Sequence, residues 1–111
     1  MSVIDFHTRP TLNHFRVLPM AQIAYLQIDR NYTFINFQDG KRCLFSKTLL
    51  LLEAQLPANC FLRVNKSVII NTSLISHYDH KIQSMILSNG LSFEVARRRR
   101  ATVKKWSANS N

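Results

Sequence analysis

The chain is poor in the residues that build several common kinds of functional site. Only two of its 111 residues are glycine, Gly40 and Gly90. Each sits in a turn dipeptide, so no glycine-rich loop is left to cradle a nucleotide phosphate. Its two cysteines, Cys43 and Cys60, form no CxxC pair and follow no secretory leader, which argues against a disulfide framework or a cysteine zinc site. They read as reduced, half-buried thiols. No apolar run approaches the roughly 20 residues of a membrane span. The first ten residues mix Asp5, His7, Arg9 and Pro10 with isolated apolar side chains, unlike a signal peptide. A cytoplasmic protein is expected.

Acidic residues are scarce too. Six Asp and Glu face fifteen Lys and Arg, a net charge of +9, and such an excess calls for a polyanionic partner. Nucleic acid is the commonest. An anionic membrane surface or a simple solubility surplus would give the same total, so the placement of the cations has to decide.

What the chain does have is strand signal. IAYLQI and NYTFINF, separated by Asp29, Arg30 and Asn31, are rich in β-branched and aromatic residues and read as two strands with a polar break. Asp39-Gly40 and Asn89-Gly90 tolerate the positive φ of tight reversals and should each turn a hairpin. SKTLLLLEAQL is a helix, with Ser46 or Thr48 as N-cap and Pro57 past its end. Leu49, Leu52 and Leu56 share its core face, widened by Leu50, Leu51 and Ala54. A second helix is expected over 96–106: at 100° per residue Ala96, Arg99, Val103 and Trp106 cluster. Arg97, Arg98, Lys104 and Lys105 point the other way, with Arg100 at the boundary. That outer side suits phosphates.

INFQDGKRCLF-SKTLLLLEAQL and MILSNGLSFEV-ARRRRATVKKW share the order strand, glycine turn, strand, short helix, a faint internal repeat. One copy kept leucines and the other became basic. The fold class is mostly β, antiparallel sheets with short flanking helices. A leader over 1–14, one domain over 15–107 and a polar tail over 108–111 complete the division.

FLRVNKSVIIN, residues 61–71, holds the next clue. Period-two alternation would put Lys66 among Leu62, Val64 and Val68 in a buried row, where a lysine is costly. The strand should therefore end near Val64 and NKS form an exposed tip. Asn can donate and accept at an adenine edge, Lys can reach guanine acceptors or phosphate, and Ser67 can bond a phosphate oxygen. An ordinary polar turn is the plain alternative.

Four stretches, IAYLQIDRNYTFINFQDGK, SKTLLLLEAQL, FLRVNKSVIINTSLI and LSNGLSFEVARRRRATVKKW, occur in the order seen in the LytTR-type DNA-binding domains of bacterial transcription regulators, and the chain resembles that family from Phe15 to Trp106. The resemblance implies elongated β-sheets with small helices, and loops that enter successive major grooves of double-stranded DNA. Carried over by motif, the base-reading residues are Arg30 and Asn31, then Asn65 and Lys66, then Arg97. Lys47, Ser67, Arg98, Arg100, Lys104 and Lys105 would hold phosphates. The family usually has His-Arg where this chain has Asn65-Lys66, Ser where it has Ala96, and an acidic residue where it has Gln27. Base preference is the property those departures touch.

A stand-alone regulator without a receiver domain is expected, on repeated half-sites, with a homodimer on DNA or a separate regulatory protein as further partners and no membrane role. The rival reading is RNA or single-stranded nucleic acid, stacked on Tyr25, Phe34, Phe37 and Phe93. Catalysis has only His77, Asp79 and His80 to offer, with no third ligand or partner motif. No enzyme, metal or cofactor is expected.

Overall fold

The computed structural model describes residues 3–4 and 11–109. Among these residues nine strands and three α-helices follow one another as β1 (Val3–Ile4), α1 (Leu12–Arg16), β2 (Ile23–Asp29), β3 (Tyr32–Phe37), β4 (Arg42–Phe45), α2 (Leu49–Glu53), β5 (Phe61–Asn65), β6 (Val68–Asn71), β7 (Ile75–Asp79), β8 (Ser84–Leu87), β9 (Ser92–Glu94) and α3 (Arg100–Asn109). A six-stranded sheet runs β1-β4-β3-β2-β6-β5 and a three-stranded one β7-β8-β9. Among the described residues only β1 with β4 pairs in parallel. The molecule is elongated, 44 × 25 × 24 Å, as the family resemblance implied.

Two cores lie on the two faces of the larger sheet. Ile23, Leu26, Ile35, Phe37, Cys43, Phe45 and Ile69 face α1 and α2, meeting Phe15, Leu49, Leu52 and Leu56. Val64, Val68 and Ile70 face the other way, onto Tyr78, Met85 and Leu87 of the smaller sheet, Val95 just past β9 and Val103 of α3. Strand alternation makes this division: in β6, Ile69 enters the first core and its neighbours Val68 and Ile70 the second. Ile23 and Leu26 are an odd number of residues apart yet share a face, because a bulge between Ile23 and Tyr25 shifts the register by one.

Both glycine dipeptides turn hairpins, with Gly40 at φ 92° and Gly90 at φ 91°. Thr48 caps α2, its side chain accepting from the Leu51 amide at 3.2 Å. Several expectations change. Leu50 and Leu51 are 68% and 48% exposed and Ala54 is exposed as well, because a helix of five residues presents one turn to the sheet, which Leu49 and Leu52 fill with Leu56 just past its end. The cysteines are not alike: Cys43 is fully buried in β4 and Cys60 is exposed before β5. Burial pushes the Cys43 thiol up to about 11. The C-terminal helix starts later than expected, since Arg97–Arg99 form a 3₁₀ turn before α3. Finally, α1 crosses the boundary drawn at residue 15. Its signal was a capping box, with Thr11 accepting from the His14 amide and His14 Nδ1 accepting from the Thr11 amide.

Candidate nucleic-acid interface

Three polar tips gather at one end of the molecule, and the strand pairing brings them there. β2 runs outward to Asp29 and returns as β3 through the two-residue turn Arg30–Asn31, both exposed. Arg30 has φ 58°, a conformation that favours glycine at the first central position of such a turn. β6 lies antiparallel to β2, and its entry is fixed where the Ile28 amide donates to the Ser67 carbonyl at 2.9 Å. The Lys66–Ser67 turn therefore sits beside the hairpin end, with Arg30 two residues, about 7 Å, farther out.

The third tip is tied to the second. The Ala96 amide donates to the Val64 carbonyl at 2.9 Å, and Asn65 Nδ2 donates to the Glu94 carbonyl at 2.7 Å. Arg97 and Arg98, both exposed, follow directly. Between them and the Lys66 turn opens a cleft of about 1080 Å³, lined by Asn65, Lys66, Ser67, Phe93, Arg97 and Arg98 among others. Lys47 stands at the same end, because the Thr33 hydroxyl donates to its carbonyl at 2.9 Å. Arg100 is half-buried, its Nε donating to the Val95 carbonyl at 3.3 Å. Lys104 and Lys105 are exposed on α3, whose opposite side is anchored by the buried Val103 and half-buried Trp106.

Two residues of the Lys66 turn behave otherwise than their types suggest. Asn65 uses both ends of its amide inside the fold: besides the bond to Glu94, its Oδ1 accepts from the Ser67 amide at 2.7 Å. Arg63, basic and two residues before the tip, turns inward. Its guanidinium donates to the Asn65 carbonyl at 3.2 Å, to the Lys66 carbonyl at 2.9 Å and to Glu53 of α2 at 3.1 Å, with the side chain 14% exposed. Sequence reasoning assigned Arg63 no role. The available signal was its position, since alternation places it opposite the apolar row and beside the leucine helix that holds Glu53.

The aromatic side chains offered for base stacking are engaged elsewhere. Phe37 is in the first core, Tyr25 and Phe93 pack on each other with centroids 4.9 Å apart, and the Arg42 guanidinium covers Phe34 at 3.9 Å. Among the described residues no three His, Cys, Asp or Glu side chains are grouped to hold a metal ion. No described helix is long and apolar enough to cross a membrane.

A solved structure described as the LytTr DNA-binding domain of a methyl-accepting/DNA response regulator from Bacillus cereus superposes with a TM-score of 0.71, at 22% identity, over 80% of this chain and 84% of that one. No curated protein matches. The family model of the LytTr DNA-binding domain matches residues 13–108, a span that takes in β2 to β9, α2, all but the last residue of α3 and all three tips. The chain belongs to the LytTr DNA-binding domain family, and DNA binding is the function that goes with it.

Proposed function

We propose that the chain binds double-stranded DNA sequence-specifically by laying its three-tipped end along successive major grooves. The observation that carries this reading is the joining of Arg30–Asn31, Lys66 and Arg97 to one end of the fold by hydrogen bonds between elements far apart in sequence. Turns of two residues held by strands are narrow enough to enter a groove about 12 Å wide. Arg30, Lys66 and Arg97 suit guanine O6 and N7, and Asn31 suits an adenine edge. Ser67, Lys47, Arg98, Arg100, Lys104 and Lys105 supply phosphate contacts that set affinity and register. Asn65, whose amide is bonded on both sides, is assigned here to shaping its turn.

The single-strand reading is disfavoured by the aromatics: Tyr25 and Phe93 pack on each other, Phe34 lies beneath Arg42 and Phe37 is in the first core. Selection of bound duplexes from a random DNA pool tests the proposal. The expected result is an enriched motif, repeated at a fixed spacing, and competition by duplex far stronger than by single strands of the same sequence. Enrichment of single strands, or no motif, would overturn it.

A further inference from the structure

Arg63 is a basic residue at the interface whose charge is not offered to DNA. Every polar group of its guanidinium that the structure shows bonded is turned inward. Nε and Nη2 hold the carbonyls of Asn65 and Lys66, the two residues that lead into and form the tip, while Nη1 pairs with Glu53. On the other flank Asn65 bonds the Ser67 amide and the Glu94 carbonyl. Carbonyls directed at phosphates would repel them, so tying these two down removes a repulsion as well as fixing a shape. What remains exposed is Lys66.

We propose that Arg63, buttressed by Glu53, is a positioning residue: it sets the direction in which Lys66 leaves its turn and so governs discrimination between DNA sequences without touching DNA. The inference rests on the reading that the Lys66 turn contacts bases. A planar fork meeting two carbonyls and a carboxylate at once has a geometry that lysine cannot reproduce, although lysine keeps the charge. The contact with Glu53 extends the device to α2, so a helix on the first core supports a DNA-facing turn.

The test measures the affinity of the full chain, by fluorescence anisotropy, for the duplex recovered from the random pool and for a scrambled duplex, with Arg63→Lys, Glu53→Gln, Lys66→Ala and the Arg63→Lys/Lys66→Ala pair. Lys66→Ala should weaken the selected duplex by about tenfold. Arg63→Lys should do the same to within about threefold while leaving the scrambled duplex and the salt slope unchanged, because no charge is lost. In the Lys66→Ala background the Arg63 change should cost less than about twofold, since the group it positions is gone. Glu53→Gln should shift discrimination in the same direction by a smaller factor, and it carries the test alone if Arg63→Lys fails to melt cooperatively. Equal weakening of both duplexes, or full multiplication of the two single losses, would overturn the positioning role and leave the DNA reading intact. No effect of Lys66→Ala on the selected duplex would instead overturn the base-reading role of the turn, and the positioning role with it.

Discussion

The two halves of the domain are built on one plan and put to different uses. Residues 20–53 run 3₁₀ turn, β2, β3, β4, α2; residues 72–109 run 3₁₀ turn, β7, β8, β9, α3. The correspondence is detailed. Each first strand is bulged two residues in, between Ile23 and Tyr25 and between Ile75 and His77. The hairpin turns close alike, Lys41 on Asp39 Oδ1 at 3.0 Å and Leu91 on Asn89 Oδ1 at 2.9 Å. Ile23, Leu26, Ile35, Phe37, Cys43 and Phe45 have counterparts in Ile75, Tyr78, Met85, Leu87, Phe93 and Val95, all packed into one core or the other. The difference lies in the segment that follows the last strand: Leu49, Leu52 and Leu56 in and just past α2 in the first half, Arg97 to Arg100 and two lysines in the 3₁₀ turn and α3 of the second. Strand pairs set the scaffold, and the residues after the last strand decide whether that end seals a core or faces a polyanion.

The comparison breaks most visibly at its matched core positions. Phe45→Ala should cost about 3–5 kcal/mol and Val95→Ala about 2, in proportion to the buried volume removed. Urea titration followed by circular dichroism measures both, and a loss at Val95 equal to that at Phe45 would mean the second half is the more tightly packed. Next comes the contrast between helices. Arg97→Ala should weaken the preferred duplex by about 1–3 kcal/mol and relax selection at one base pair, while Leu50→Ala leaves it unchanged. Lys104→Ala and Lys105→Ala should each lower the slope of log affinity against log salt by about 0.9. A base-selective loss from either lysine would move the reading surface onto α3.

Smaller effects sharpen the two first hairpins. Arg30 occupies a left-handed position, so Arg30→Gly should stabilise the fold by up to about 1 kcal/mol while weakening DNA binding. A variant that is both more stable and equally tight would remove Arg30 from the interface. Least of all, native alkylation with iodoacetamide should label Cys60 and spare Cys43, whose thiol is buried. Because the folded thiol holds its proton up to about pH 11 and the unfolded one releases it near 9, stability should decline as pH rises across that window.

Much of this was legible in the chain because local rules and tertiary structure agree. Two Gly dipeptides between alternating runs had one plausible geometry, and Thr48 ahead of four leucines marked a helix start. Lys66, breaking an apolar row, located the second tip. What the sequence hid was directional. A row of leucines does not say how few of them a one-turn contact can bury, so Leu50 and Leu51 were placed inside. Asn65 looks like a base reader until Ser67 and Glu94 are seen on either side of it. Arg63 counts toward the basic total yet is neutralised within the fold, and net charge cannot separate such a residue from Arg97.

Strand β6 lies between the two cores. Its side chains alternate between the two cores, and the Lys66–Ser67 turn that leads into it faces the proposed ligand, so it is a party wall that neither half can lose alone. Association at that turn should raise protection from deuterium uptake in both halves to a similar degree, in β3 as much as in β8, and the domain should melt in one step with or without its partner.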